Sequence, residues 1–370
     1  MHRLRYMLLF LLLAGPWSEA RPQLPERPLR VVVAGVSHGH SSWIYGAKKT
    51  GAIEVVGIFE PNRQLAAEFK QRNNLPASLF YTDLEHALDT LKPEGVLAFN
   101  ATSEHLSVVR ACAPRGVHVM VEKPLATTEK DARQIAGLAK RYGIQVLTNY
   151  ETSWYPTTRK TYQLVHDTGF VGQVRKVIFH TGHSGARRQE HIRFFFDWLT
   201  HPVKNGGGAS FDFGCYGANI MTYLMQGAAP FAVTAVNRQF KPDIYPRVDD
   251  ESTVILSYQQ AQCIIQASWN WPFNRKDMEV YGVAGSIRAH DHTRLSVRSM
   301  QDKAERHLLV TKEDTPVYDN PFEFFAAVVR GLVKPDSYSP YTLENNVLVV
   351  KILAAARKSA RSGKTVSLKY

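Results

Sequence analysis

Two neighbouring charged residues are the first candidates for chemistry in this chain. Glu122 and Lys123 follow an apolar, β-rich run at residues 117–121 and come directly before Pro124. A short run of this kind, ended by a proline, predicts a buried strand of a parallel sheet. The acid and the base would then lie at the carboxyl end of that strand, where open α/β sheets bind their ligands. A surface Glu–Lys pair in an ordinary turn is the alternative interpretation.

A glycine run at residues 206–208 introduces the second candidate cluster. The apolar segment at residues 209–225 predicts a helix, and Asp212 and Tyr216 lie four residues apart on it, hence on one face. Taken alone, the pair is explained better as an acid favoured near a helix start and a half-buried core tyrosine.

Alternating strand and helix patterns supply the elements that would position Lys123. The alternation predicts βαβ units, and therefore an α/β fold with a doubly wound parallel Rossmann sheet over residues 28–149. The predicted strands are residues 29–35, 53–59, 79–81, 95–99, 118–121 and 144–148, and the predicted helices are residues 42–50, 63–73, 83–91, 104–115 and 131–142.

The turn after the first strand, GVSHGH at residues 35–40, partly matches a dinucleotide-binding loop. That loop requires glycine at its first, third and sixth positions for the tight turn, the approach of pyrophosphate and helix packing. Gly35 meets the first requirement, Ser37 and His40 replace the other two glycines, and Gly39 could compensate. Glu60 ends the second strand, where an acid accepts from both ribose hydroxyls, so NAD is favoured over NADP.

His38 and His40 in this turn could instead bind a metal ion. No carboxylate or cysteine neighbours them in the sequence, whereas zinc sites use three or four such ligands. We therefore predict cofactor contacts for both histidines and no metal.

The second part of the chain has a different texture. Alternating segments joined by short connections predict an α+β domain at residues 150–370, with a large, mostly antiparallel open sheet and helices near the C-terminus. A sheet face of this kind often pairs between subunits, so we expect a homo-oligomer. The predicted strands are residues 174–182, 231–237, 251–258, 262–269, 278–282, 285–290 and 293–298, and the predicted helices are residues 322–331 and 343–362.

The N-terminus predicts an exported protein without a membrane anchor. Residues 1–20 combine a basic start, an apolar core at 7–14 and small residues before a cleavage point after Ala20, as in a secretory signal peptide. The formal net charge of +12 is spread over 370 residues and lacks the basic, aromatic-interleaved patches of nucleic-acid binders. We therefore expect no nucleic-acid partner.

Together these motifs resemble the Gfo/Idh/MocA oxidoreductases, which include glucose–fructose oxidoreductase and inositol dehydrogenase. The matching stretches are VVVAGVSHGH, GVLAFNATSEH, GVHVMVEKPLA, NGGGASFDFGCYG and SARSGKTVSL, and they extend over almost the whole mature chain. The resemblance implies a Rossmann domain, a nicotinamide cofactor, and hydride transfer to or from a ring hydroxyl of a sugar or sugar derivative.

The resemblance also implies roles for individual residues. Lys123 would hold the reacting hydroxyl group, Asp212 would orient it or the lysine, and Tyr216 would be the general acid–base. A free tyrosine titrates near pH ~10, so we expect a cation such as Lys123 to lower its pKa. The implied cofactor contacts are Gly35, Ser37, His38, Gly39, His40, Glu60, Asn100, His105, Glu122 and Lys123.

The segment at residues 149–155 departs from relatives, which often carry an arginine there, and suggests a different sugar-facing wall. Trp154 and Tyr155 could stack on a pyranose ring, and Glu151 of the same segment is a further substrate-binding candidate. Further candidates are His180, Arg188 and the aromatic run at residues 194–198, of which core packing explains Phe194–Phe196 equally well. The wall would be completed by His183, Arg187 and Lys204.

Three functions of different classes follow. The first is a sugar dehydrogenase. The second is an NAD-dependent glycoside hydrolase that oxidises a ring hydroxyl, eliminates the aglycone, adds water and reduces the product again. It is motivated by the scarcity of free NAD outside the cytoplasm. The third is a sugar-binding protein without turnover, which the altered turn at residues 35–40 allows and the Lys123–Asp212–Tyr216 set argues against.

Overall fold

A computed structural model describes residues 27–187, 189–302, 304–315, 317–318 and 320–368. The predicted signal peptide at residues 1–20 lies outside the described residues, as does Arg188. Within the described ranges, no helix is both long enough and apolar enough to cross a membrane.

The first domain contains the predicted doubly wound sheet. Among the described residues, six parallel strands pair in the order β3-β2-β1-β4-β5-β6. Val119 and Val121 pack in one hydrophobic layer and Met120 in the other, which explains the continuous apolar run of β5. The strands are β1 (Leu29–Ala34), β2 (Ile53–Phe59), β3 (Phe80–Tyr81), β4 (Gly95–Ala98), β5 (His118–Glu122) and β6 (Val146–Asn149), and the helices are α1 (Arg63–Arg72), α2 (Leu84–Leu91), α3 (His105–Cys112) and α4 (Glu129–Tyr142).

The predicted helix at residues 42–50 is wrong. A short 3-10 helix, Gly39–Trp43, follows β1 instead, and turns complete the connection. The Ser41 hydroxyl donates to the Val36 carbonyl at 3.2 Å and the Ser42 hydroxyl to the Gly39 carbonyl at 2.8 Å. Serine side chains that bind nearby backbone groups in this way compete with α-helix formation.

The second domain contains the predicted large open sheet. Nine strands of the described chain pair in the order β14-β13-β12-β11-β7-β10-β9-β8-β15, and all neighbours are antiparallel except the pair β7–β10. Sequence analysis missed the short edge strands β14 and β15. The strands are β7 (Val174–Gly182), β8 (Ala232–Arg238), β9 (Glu251–Ser257), β10 (Gln262–Ser268), β11 (Arg275–Gly282), β12 (Gly285–Ala289), β13 (Arg294–Ser299), β14 (Arg306–Leu309) and β15 (Val366–Ser367).

The prediction of a single helix over residues 209–225 is also wrong, because the helix is interrupted at Phe213. The Asp212 carbonyl there accepts from the Lys123 ammonium at 3.1 Å, and the Phe213 carbonyl accepts from the Thr181 hydroxyl at 3.0 Å. Asp212 therefore ends one short helix and Tyr216 lies in the next. The remaining helices are α5 (Pro156–His166), α6 (Arg193–Leu199), α7 (Ala209–Asp212), α8 (Gly214–Leu224), α9 (Pro321–Val329) and α10 (Leu343–Ser362).

Candidate active site

One ion pair joins the two sequence motifs at the centre of the candidate active site. Lys123 Nζ lies 2.5 Å from Asp212 Oδ1. The second carboxylate oxygen of Asp212 accepts from the Trp269 indole N–H at 3.0 Å. Lys123 follows β5 and Asp212 ends α7, and both side chains are buried. The fold thus brings together two residues that are 89 positions apart in the sequence.

Burial opposes both charges of this pair, yet the pair stays ionised. Burial favours the neutral amine of Lys123, but the Asp212 carboxylate raises the pKa of Lys123 above its ordinary value. Burial likewise opposes ionisation of Asp212, but the Lys123 charge lowers the pKa of that carboxyl. A fixed ammonium in a site that excludes water can stabilise charge on the oxygen of a reacting hydroxyl or carbonyl group.

Tyr216 lies beside the ion pair and is 2% exposed. Lys123 Nζ is 5.3 Å from the centre of its ring. Burial, and then the charge of Glu151, raise the pKa of Tyr216 well above 10. The expectation that Lys123 lowers this pKa is therefore wrong, because burial outweighs an ammonium that is already paired with Asp212. The phenol keeps its proton and can donate it to a carbonyl oxygen.

A second ammonium contacts Tyr216, and sequence analysis missed it. Lys276 Nζ lies 5.4 Å from the centre of the Tyr216 ring and forms an ion pair with Glu151. Glu151 also accepts from the Tyr155 hydroxyl at 2.5 Å. Alternation along β11 places Lys276 on the same face as the buried Met278. Our predicted strand began at Met278, and two more residues at its start would have included this lysine.

Two side chains hold the Glu122 carboxylate at the end of β5. One carboxylate oxygen accepts from the Asn149 amide at 2.6 Å, and the other lies 3.1 Å from His40 Nδ1. Burial opposes its charge, but His40, His38 and the Asn149 amide lower the pKa of Glu122 to about 2. The carboxylate is therefore ionised at neutral pH and lies between β5 and the turn after β1.

His38, His40 and Glu122 place three ligand-type atoms within 4.8 Å of one another. Our reason for predicting no metal, the lack of a neighbouring carboxylate, is wrong, because β5 brings Glu122 to the turn. His38 Nδ1 accepts the His40 N–H at 3.1 Å, so Nε2 carries the proton in the neutral ring. In this arrangement Nε2, which lies 3.9 Å from Glu122, has no lone pair to offer a metal.

The turn after β1 retains part of a dinucleotide-binding geometry. Gly35 has a φ of +77°, and a Cβ there would lie 2.5 Å from the Asn100 Cβ, so only glycine fits. Among the described residues, the amides of Ser37 and Gly39 carry no hydrogen bond and remain available for a pyrophosphate. The amides already bound are those of Gly35, Val36, His38 and His40.

Glu60 and two buried acceptors fit the rest of a dinucleotide. The Glu60 carboxylate lies at the end of β2 and accepts the N–H groups of Val36 at 3.0 Å and Asn62 at 2.9 Å. Each carboxylate oxygen has a second lone pair for a ribose hydroxyl. Asn100 Oδ1 and His105 Nε2 are buried without a partner in the described part of the chain. Unsatisfied buried acceptors are costly, so these atoms suit a ligand with hydroxyl or amide donors.

The structure corrects part of the proposed sugar-facing wall. Trp154 is buried, stacks on Tyr341 with ring centres 5.6 Å apart and donates to Asn149, so its assignment to sugar stacking is wrong. His180 lies on the opposite face of the sheet from Thr181, whose hydroxyl contacts the site, and it pairs with Asp277 instead.

The other wall residues fall into two groups. Glu151 pairs with Lys276, the ammonium that contacts Tyr216, and Tyr155 donates to Glu151. The His183 ring packs edge-on against Phe213, with ring centres 4.8 Å apart. Arg187 and Lys204 are exposed, and within the described ranges neither contacts Lys123, Asp212 or Tyr216. Their contact with substrate stays a prediction.

The helix α6 covers the turn after β1. The rings of Phe195 and Trp198 lie 5.3 Å and 5.9 Å from the His38 ring. Arg193 at the start of α6 forms an ion pair with Glu68 of α1. Phe195 and Trp198 therefore pack against His38, which was predicted to contact the cofactor.

Two family profiles match the chain in the order of its domains. The profile of the oxidoreductase family with an NAD-binding Rossmann fold matches residues 29–150, and that of the Gfo/Idh/MocA C-terminal domain matches residues 158–288. The chain belongs to the Gfo/Idh/MocA oxidoreductase family. Its first domain is thus an NAD-binding Rossmann domain, as the resemblance implied.

Named relatives of this Gfo/Idh/MocA protein are distant in sequence. It is 21% identical over 334 residues to 1,5-anhydro-D-fructose reductase of Ensifer adhaerens. The aligned region covers 87% of this chain and 96% of the relative. It is 25% identical over 207 residues to trans-1,2-dihydrobenzene-1,2-diol dehydrogenase of Bos taurus, 55% of this chain and 56% of the relative. The chain thus spans little more than half the length of the dihydrodiol dehydrogenase that it matches.

Solved structures share the fold of this family member. Aldose–aldose oxidoreductase from Caulobacter crescentus, complexed with glycerol, superposes with a TM-score of 0.77 at 20% identity over 92% of this chain and 100% of the other. An inositol dehydrogenase homologue from Azotobacter vinelandii, complexed with NAD+, superposes with a TM-score of 0.78 at 18% identity, over 93% and 98% of the two chains.

Proposed function

We propose that this protein is an NAD-dependent oxidoreductase that transfers hydride between the nicotinamide and a ring hydroxyl, or the corresponding carbonyl group, of a sugar or sugar derivative. The observation that carries the proposal is the buried Lys123–Asp212 pair with Tyr216 beside it, where Lys123 of the NAD-binding domain meets two residues of the C-terminal domain. Relatives named as reductases and dehydrogenases of sugar-like compounds support the substrate class.

The protein's own residues would hold and protonate the reacting oxygen. When bound, NAD would supply a hydride acceptor in its oxidised form and a hydride donor in its reduced form, and its ribose and pyrophosphate would meet Glu60, Ser37 and Gly39. The Lys123 ammonium would stabilise negative charge on the reacting oxygen, and Asp212 and Trp269 would fix the lysine in place. Tyr216, whose pKa is raised by burial, would donate the proton in the direction of carbonyl reduction.

The test is the near-ultraviolet absorbance of reduced nicotinamide, measured with a panel of sugars, polyols and their keto derivatives. We expect Lys123→Met and Asp212→Asn to lower kcat by about 10²–10³-fold, the usual cost of losing one group that stabilises charge on the reacting oxygen. Lys364→Met removes an exposed lysine and is the matched control. Near-wild-type turnover in Lys123→Met, with a substrate that the wild type uses, would show that the assigned centre is wrong.

Two further proposals concern the whole chain. The N-terminal segment supports export with cleavage after Ala20. A row of partly exposed isoleucines across three paired strands supports a homo-oligomer through the C-terminal sheet. These residues are Ile178, Ile264 and Ile255.

A further inference from the structure

An arginine-lined pocket lies apart from the residues assigned to hydride transfer. It is open, has a volume of about 440 Å³, and lies between the loop before α7, the end of β8 with the loop after it, and the last turns of α10. Small-molecule sites commonly have volumes of this order. Four arginines line it: Arg238, Arg247, Arg357 and Arg361.

The arginine charges in this pocket are not neutralised. None of the four guanidinium groups forms an ion pair with another described residue. Arg357 and Arg361 are one helical turn apart on α10, a spacing at which like charges repel. Burial, and then the charge of Arg361, lower the pKa of Arg357. An anion between the arginines would relieve this repulsion.

Two carboxylates adjoin this pocket and hydrogen-bond to groups other than the arginines. Asp249 also lines the pocket, but it accepts from the Gly208 N–H at 3.1 Å, the Ser210 N–H at 2.7 Å and the Ser210 hydroxyl at 3.0 Å. Glu251 is the cross-strand neighbour of Arg238, and it accepts from Ser268 and Asn270 instead. Both acids hold loops in place, and neither forms an ion pair with any of the four arginines.

One of the four arginines is held in a fixed position. Arg357 donates to the Gly206 carbonyl at 2.8 Å and lies over the Phe211 ring, 5.0 Å from its centre. The helix dipole explains the position of Arg361 in the last turn of α10, but it does not explain the three other arginines. A guanidinium group that is already positioned loses less conformational entropy when it binds a ligand.

We propose that this pocket binds a ligand that carries a phosphate or sulfate group, with the four arginines as its donors. The planar guanidinium group binds tetrahedral oxyanions through two parallel hydrogen bonds, and several of them around one pocket match a group with two negative charges. A free anion and the same group on a saccharide share this chemistry. The site does not depend on hydride transfer, so either proposal can fail alone.

Calorimetric titration of the full chain tests the proposal. The ligands are sodium phosphate, sodium sulfate and glucose 6-phosphate, each compared with sodium chloride at equal ionic strength. We expect phosphate or its ester to bind the wild type, and the Arg238→Ala/Arg361→Ala double variant to bind at least about tenfold more weakly. Arg298→Ala, which removes an exposed arginine of β13, is the matched control and should bind as the wild type does.

The outcomes separate the sources of the anion. Tighter binding of glucose 6-phosphate than of inorganic phosphate identifies an esterified saccharide, and equal binding identifies a free anion. The site is refuted if phosphate and sulfate bind no better than chloride, or if the double variant and Arg298→Ala lose the same affinity. Arg357 stays intact in these variants because it also anchors Gly206, and thermal unfolding of each variant checks its fold.

Discussion

Tyr216 is the residue on which the direction of the proposed reaction depends. Its hydroxyl group is buried near the carboxylate of Glu151, and both surroundings favour the protonated phenol. In carbonyl reduction this proton is needed on the product oxygen, whereas in alcohol oxidation an unprotonated acceptor is needed. The site as it stands is therefore suited to reduction at neutral pH.

This assignment predicts that only one of the two directions depends on pH. Between roughly pH 7 and pH 10, the rate of reduction should stay level, while the rate of oxidation should rise with pH. The fraction of deprotonated phenol increases about tenfold per unit below its pKa. Stopped-flow rates for both directions measure this directly.

The matched control for this prediction is another buried tyrosine. Tyr150 packs edge-on against Tyr216 at 5.4 Å, and burial raises its pKa in the same direction. Tyr150→Phe should retain the rise of the oxidation rate with pH, and Tyr216→Phe should abolish it. A rise that survives in Tyr216→Phe would assign the proton acceptor to another group.

Gly35 and Asn100, which follow β1 and β4, lie so close together that a substitution at Gly35 should change the stability of the fold. Gly35→Ala should lower the free energy of unfolding by roughly 2–4 kcal/mol, since it combines a left-handed backbone with a clash against Asn100. Gly39→Ala, in the same turn, meets no atom within 4 Å and should cost far less. Urea unfolding of both variants tests this, and equal losses would contradict it.

Some elements could be predicted from the sequence and others could not. The apolar run of β5 and its proline were sufficient to place Glu122 and Lys123 at the sheet edge, because buried parallel strands leave a strong pattern. The break at Phe213 and the loss of the helix at residues 42–50 depend on side-chain hydrogen bonds from Lys123, Thr181, Ser41 and Ser42. Such contacts leave no periodic signal.

The site residues likewise include some that a sequence motif identifies and some that only the fold brings to the site. Lys123 and Asp212 were found because each lies in a distinctive motif. Trp269 and Lys276 come from the end of β10 and from β11, and only the pairing of distant strands brings them to the motifs. Trp154 was misassigned because an aromatic residue near a ligand site and one in a core look alike in sequence.

In the whole molecule, the proposed reaction requires NAD to be held in the first domain, between the turn after β1 and Lys123. Glu60 at the end of β2 would repel a 2′-phosphate, so NAD rather than NADP is expected. The cover formed by α6 over His38 should slow the exchange of a bound nucleotide.

The most direct measurement is the nucleotide content of the protein purified without added cofactor, released by denaturation and identified by mass spectrometry. We expect close to one NAD(H) per chain and little NADP(H). If the protein is recovered empty, added NAD should raise its melting temperature and NADP should not. Bound NADP(H), or an empty protein that NAD fails to stabilise, would contradict the assignment of the first domain as an NAD site.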